Sequence, residues 1–293
     1  MPPSRPSFFS RLFAIARIAI AALVSGCSGT QIVNSLTPDD TYIKTADIAY
    51  GANPRMRLDV YRPVLVAVDG RAPVVVFFYG GSWRTGSKSD YLFAAEALAE
   101  RGIVTVVADY RFYPEVRYPD FLPDCARAVA WTFKEIGAYG GDAKRIFVAG
   151  HSAGAYNAAM IAYDPRWLAP FGIKPAQLRG FVGLAGPYNF LPIKDEGVKD
   201  VFGWPDTPPD SQPINHVAKD SPPSLLIAAQ KDTFVYPEKN TEPLAARLQA
   251  VGAAVTVRIH SGVSHVTLMG SMSRPLRGLA PVAQEFGDFV LAH

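Results

Sequence analysis

The 293-residue sequence contains only two cysteines, Cys27 and Cys125, and five scattered histidines. No paired-cysteine spacing and no His-Glu-x-x-His pattern occurs, so zinc chemistry is not expected. Charge is scarce as well: charged residues make up 19% and the formal net charge is +3. Even that excess is local. Residues 1–26 hold Arg5, Arg11 and Arg17 and no acid, so basic and acidic side chains balance over the remainder. No basic run appears elsewhere, which removes the electrostatic footprint of a nucleic-acid-binding protein. A repeat of fixed period, the mark of solenoids and propellers, is also missing. What is plentiful is apolar material, 49% of the chain, enough at this length for a substantial core.

Arg5 and Arg11 precede an apolar-rich stretch, residues 12–24, that Arg17 interrupts. It is too short for a comfortable span of about 20 residues and fits the core of a secretory signal. Leu23-Val24-Ser25-Gly26-Cys27 resembles a bacterial lipobox, in which the cysteine becomes the lipid-modified first residue. On that resemblance residues 1–26 are a lipoprotein signal peptide, 27–42 a short polar tether, and 43–293 the folded domain. Ser28 after the cysteine implies sorting to the outer membrane, with the domain held at the bacterial cell envelope facing the periplasm. A plain signal peptide or an uncleaved anchor would use the same residues. With Cys27 acylated, Cys125 has no partner for an internal disulfide despite an oxidising compartment. Its place in an apolar helical pattern makes it a small core residue.

After the tether, strand and helix patterns alternate. Residues 46–50 and 57–61 suggest two short strands around a turn. Apolar runs at 74–79, 103–108 and 224–229 read as buried strands, and 145–149, 181–184 and 255–259 as further strands. Helical spacing recurs at 91–101, 122–136, 153–163, 241–251 and 283–291. The repeated unit predicts an α/β fold, a mostly parallel sheet covered on both faces. One segment breaks the rhythm. Residues 186–223 contain eight prolines together with Phe190, Phe202 and Trp204, too long for an ordinary connection. An insertion before the acid-bearing strand is expected there, either a surface loop or a substrate-facing cap.

Gly150-His151-Ser152-Ala153-Gly154 carries the G-x-S-x-G pattern. With Gly and Ser each near ~7%, roughly one unrelated chain in ten would contain it, so context decides. Here it joins a strand directly to a helix, the arrangement that lifts a serine oxygen above a sheet. A serine nucleophile needs a base and the base an orienting acid, in the order Ser, acid, His along this kind of chain. Asp232, following the strand 224–229, is the expected acid, with Glu238 its only substitute. His265, in the loop after 255–259, is favoured as base over His260 at the strand end. The turn Tyr79-Gly80-Gly81-Ser82-Trp83 follows another strand and exposes backbone N–H groups. Gly81, Ser82 and Ala153 are therefore expected to meet a developing oxyanion. Trp83, Tyr113 and Trp204 are candidates to line a pocket.

These motifs, with Asp109-Tyr110-Arg111 and Gly140-Gly141-Asp142 ahead of the elbow, resemble the α/β-hydrolase esterases. The nearest branches are the hormone-sensitive-lipase-like and feruloyl/acetylxylan-esterase-like ones, with kynurenine formamidases also similar. The resemblance implies hydrolysis of small, short-acyl esters through an acyl-enzyme, with no metal or organic cofactor and a small-molecule ester as partner. Two positions depart from it: Tyr79 stands where His usually opens the oxyanion motif, and Ser264 where Gly usually precedes the catalytic His. An amide hydrolase of the formamidase type, or a catalytically inert lipoprotein that holds a ligand, would share the fold. A nucleotide-binding reading of residues 81–88 fails on order, because Ser87 precedes Lys88 where a phosphate loop needs Lys before the hydroxyl.

Overall fold

The computed structural model describes residues 29–65 and 71–293. In chain order the elements are α1 (Gly29–Ser35), β1 (Tyr42–Ala49), β2 (Arg57–Pro63), β3 (Ala72–Phe78), α2 (Leu92–Ala99) and β4 (Val104–Ala108). Then come α3 (Leu122–Glu135), β5 (Gly141–His151), α4 (Ala153–Tyr163), α5 (Pro165–Leu168), β6 (Gly180–Leu184) and α6 (Glu196–Phe202). The chain finishes with β7 (Ser224–Ala229), α7 (Thr241–Ala250), β8 (Val255–His260), α8 (His265–Gly270) and α9 (Val282–Ala292).

All eight strands form one sheet in the order β1-β2-β4-β3-β5-β6-β7-β8. β1 and β2 run antiparallel to their neighbours, and every pairing from β4 through β8 is parallel. The apolar runs decide position within it. Every residue of β3, β4, β6 and β7 is buried, as strands covered on both faces must be. The two edges are mostly exposed: β1 shows its face to solvent, and β8 buries none of its residues fully. α4 is buried along its whole length, and its small alanines let it lie close under the sheet. Cys125 is a free, buried thiol on the inner face of α3.

The polar segment read as a short tether begins with α1, which is docked on the domain. Asn34 Nδ2 donates to the Ser89 carbonyl at 2.8 Å, the Phe93 N–H donates to Asn34 Oδ1 at 3.1 Å, and Val33 packs against the core. Those partners lie more than fifty residues away, so local composition carried no sign of them. The signal-peptide and lipidation readings of residues 1–26 and Cys27 fall outside the described residues.

Lys88, the residue that a phosphate loop would have needed, is already engaged. Its ammonium lies 2.7 Å from Asp47 and 2.8 Å from Asp59. Asp59 is fully buried and also pairs with Lys44 at 2.8 Å. Burial pushes the Asp59 carboxyl up, but the two lysines and the Asp47 N–H outweigh it and hold the group below its usual range. Removing the Asp59 charge leaves the largely buried Lys88 with only the exposed Asp47 as its carboxylate partner. Asp59→Ala is expected to cost about 3 kcal/mol or more in urea unfolding; a loss under about 1 kcal/mol would show the network to be dispensable.

Candidate active site

Four connections leave the carboxyl ends of neighbouring parallel strands, where ligands of open α/β sheets bind. β3 ends in the glycine turn, β5 in Ser152, β7 in the Asp232 turn, and β8 runs on to His265. Gly81, Ser82, Ser152, Ala153 and His265 line one cavity of about 900 Å³.

The elbow is tight in a measurable way. Ser152 adopts φ 54° and ψ −124° between the last residue of β5 and the first of α4. That left-handed backbone is costly for a residue with a side chain, and it persists only where its surroundings impose it. The surroundings do so by close approach. A Cβ at Gly154 would lie 2.0 Å from the Phe78 carbonyl oxygen, and one at Gly150 would lie 2.3 Å from the Gly154 backbone. Both positions therefore need glycine. The Ser152 N–H donates to the Leu184 carbonyl at 2.9 Å, tying the strained residue to β6.

Asp232 is buried, and both of its oxygens are committed. Oδ1 accepts the N–H groups of Phe234 and Val235, each at 2.9 Å, and Oδ2 lies 2.7 Å from His265 Nδ1. Burial raises its affinity for a proton, but the imidazole and the two amides more than offset this and leave the carboxyl below its usual range. An ionised Asp232 makes Nδ1 the protonated nitrogen of His265, so Nε2 presents a lone pair. His265 was expected in a loop and is instead the first residue of α8. The departure at Ser264 explains it: Ser264 Oγ accepts the Thr267 N–H at 3.3 Å, and Thr267 Oγ1 accepts the Ser264 N–H at 2.7 Å. This reciprocal cap fixes the helix start, a task glycine could not perform.

The structure separates the alternatives. His260 Nε2 lies 2.8 Å from Glu285 Oε2, away from the serine. Glu238 is exposed, whereas Asp232 meets the imidazole.

The glycine turn takes three consecutive positive φ values, 130° at Gly81, 52° at Ser82 and 54° at Trp83. A Cβ at Gly81 would lie 2.2 Å from the Thr85 carbonyl. Among the described residues, the N–H groups of Gly81 and Ser82 have no hydrogen-bond acceptor. The turn is tied back by Trp83, whose Nε1 donates to the buried Asn157 Oδ1 of α4 at 2.9 Å. Tyr79 fills the usual histidine position differently. Its ring stacks on Tyr110 at 4.8 Å, its hydroxyl accepts from Arg55 at 2.9 Å, and it helps to hold the Asp109 carboxylate. An aromatic ring with a polar tip does the anchoring there, within the fold rather than in the cavity.

Within the insertion, Pro187, residues 189–195 and Val198 line the cavity. Phe190 and Phe202 pack on Trp83 and Tyr156. Of the three aromatic candidates Trp83 lines the cavity, and Tyr113 and Trp204 do not. Asn157, Ser264 and the surroundings of His151 were missed from sequence. Only Ser264, three residues before Thr267, carried a capping signal that could have been read.

An α/β-hydrolase fold is defined by this sheet, elbow and loop order, and solved structures agree. The chain superimposes on esterase B from Lactobacillus rhamnosis with a TM-score of 0.75 at 17% identity, covering 95% of this chain and 96% of that one. A truncated carbohydrate esterase from gut microbiota gives 0.72 at 18% identity, covering 87% and 98%. Within that fold class the BD-FAE family profile matches residues 58–248, and the chain belongs to that family. Among curated relatives, it is 31% identical over 252 residues to isoprenylcysteine alpha-carbonyl methylesterase ICME of Arabidopsis thaliana, covering 79% of this chain and 58% of the relative. Esterase LipC of Mycobacterium tuberculosis is 31% identical over 229 residues, covering 72% and 56%. The chain thus spans little more than half the length of these relatives.

Burial has a consequence for acid stability. It pushes the His151 imidazole down from 6.5 to about 3, with the neighbouring His265 adding to the effect. The unfolded chain binds that proton first, so the contribution is complete above about pH 6.5 and drains away as pH falls toward 3. The melting temperature is expected to fall across that window, and to fall less steeply in His151→Gln. Parallel pH curves for the two proteins would show that His151 does not carry the effect.

Proposed function

We propose that the protein is a serine carboxylesterase that acts on small, short-acyl esters through an acyl-enzyme. The observation that carries this reading is the 2.7 Å contact between His265 Nδ1 and the buried Asp232 carboxylate, in the cavity that Ser152 lines. Asp232 holds the imidazole in the tautomer whose Nε2 can take a proton from Ser152. The serine oxygen then attacks the ester carbonyl, and the N–H groups of Gly81, Ser82 and Ala153 receive the negative oxygen. His265 returns the proton to the departing alcohol. Water, activated by the same imidazole, attacks the acyl-enzyme and releases the acid and free Ser152. The apolar residues Phe190, Leu191 and Val235 in the cavity lining suit an uncharged acyl or alcohol group. Relatives named as a methylesterase and as an esterase favour ester over amide substrates.

The same reading keeps Cys27 as a lipid anchor that holds the enzyme at the cell envelope. Its support is the Leu23-to-Cys27 sequence and the balance of charge beyond it. Replacing Cys27 by Ala is expected to move the protein from the membrane to the soluble fraction of a bacterial host; unchanged membrane retention would remove the anchor from the proposal.

Ser152→Ala should lose all but a trace of turnover on acetyl esters, and Asp232→Asn about 10⁴-fold in kcat. A fluorophosphonate should label wild-type Ser152 and leave Ser152→Ala unlabelled. One tenth of wild-type activity in Ser152→Ala would refute the assignment. Faster turnover of N-formylkynurenine than of acetyl esters would move the enzyme to amide hydrolysis, and no turnover or label at all would leave a binding protein.

A further inference from the structure

The residue between Gly150 and Ser152 is the variable position of the elbow pattern, and the reaction above gives it no task. His151 is nevertheless enclosed, 7% exposed, and its ring makes two contacts whose directions follow from chemistry alone. Nε2 lies 3.3 Å from the His265 carbonyl oxygen. A carbonyl can only accept, so Nε2 carries the proton, and in the neutral ring that burial favours Nδ1 keeps the lone pair. Nδ1 lies 3.0 Å from the Tyr91 hydroxyl, which therefore donates to it. The same Tyr91 oxygen accepts the Gly80 N–H at 3.1 Å. The bonds run one way, from the amide that opens the oxyanion turn, through Tyr91 and His151, to the backbone of His265.

Two further contacts tighten this arrangement. A Cβ at Gly80 would lie 3.0 Å from Ser152 Cβ and 3.2 Å from His151 Nδ1, so the turn presses on the elbow. The His151 and His265 rings meet at 4.8 Å between centroids, tilted by 43°. α8 is a six-residue helix, and the His151 bond adds to its Ser264–Thr267 cap a contact from outside the helix to its first residue. A neutral His151 also places no like charge beside His265 when that ring takes the serine proton.

We propose that His151 and Tyr91 are positioning residues, a directional hydrogen-bonded chain that locks oxyanion turn, nucleophile elbow and base into one working geometry. The chain rests on the serine-esterase reading and adds to it a function for the elbow's variable residue. Neither residue exchanges a proton with substrate. Their effect is on how often the three parts are aligned when a substrate is bound, so it falls on kcat and on the rate of serine acylation, not on binding.

The test measures kcat and KM on one acetyl ester, the rate of fluorophosphonate labelling of Ser152, and melting temperature. The variants are Tyr91→Phe, His151→Phe, the double variant and His151→Gln. Tyr91→Phe and His151→Phe should each lower kcat and labelling rate about tenfold, with KM within about twofold. The double variant should be no worse than His151→Phe, because either change cuts the same chain. His151→Gln should recover most of the rate, since its amide can both donate to the His265 carbonyl and accept from Tyr91. Wild-type kcat in Tyr91→Phe, additive losses in the double variant, or a rise in KM that accounts for the loss would overturn the proposal. Tyr91→Phe removes a single oxygen and carries the test if His151→Phe does not fold. A wild-type protein that takes no label defeats the esterase reading itself, and the positioning role falls with it; normal wild-type labelling with unaffected variants defeats the positioning role alone.

Discussion

The rest of the site depends on one close approach of backbone to backbone. β5 turns into α4 within a single residue, and it can do so only because Gly154 lies against the carbonyl end of β3 with no side chain between them. That contact forces Ser152 into its left-handed conformation and at the same time sets the distance between the elbow and the glycine turn that leaves β3. Strain at the serine and placement of the glycine-turn N–H groups are therefore one geometric fact. The fully buried α4 on one side, and the hydrogen bond from Ser152 to Leu184 on the other, keep the turn from relaxing.

Electrostatics then does what sterics cannot. The sheet brings the loops after β7 and β8 together, but the orientation of the imidazole comes from Asp232, whose two oxygens face three donors. A carboxylate with fewer partners would pay for its burial by taking up a proton, and a protonated acid could not hold the Nδ1 proton of His265 in the same way. On β2 a comparable solution stabilises Asp59 between two lysines and uses up Lys88. In both places the donors outweigh the burial of the carboxylate.

The interior of the fold was legible because it is written in local pattern. Continuous apolar runs gave the buried strands within a residue or two, and β7 and α4 to the residue, since each such strand must be hydrophobic on both faces wherever it sits. The elbow and the Ser-Asp-His order were legible for the same reason: their constraints lie within a few residues or in chain order. What escaped depends on partners far away. α1 owes its docking to Ser89 and Phe93, and His151 owes its two bonds to Tyr91 and His265. The start of β5 was also missed by four residues, because the strand begins with Gly141 opposite Ala72 and passes through a polar, irregular stretch, where hydrophobicity gives no sign, before regular pairing resumes at Ile146.

The cavity is built from two kinds of material. Its chemical floor is made from strand ends and a buried helix, where one added methyl group would collide with backbone. Its opposite wall, chiefly residues 189–195, belongs to the proline-rich insertion, which is fastened to α4 by Tyr156 on the Ser211 carbonyl and to the start of α7 by Asn240 on the Tyr188 amide. Changes of sequence are therefore unequally permitted across a few ångströms. The half built from strand ends tolerates no added side-chain atom at Gly150 or Gly154, whereas the half built from the insertion is held by side-chain packing and a few hydrogen bonds, so the two can change at different rates.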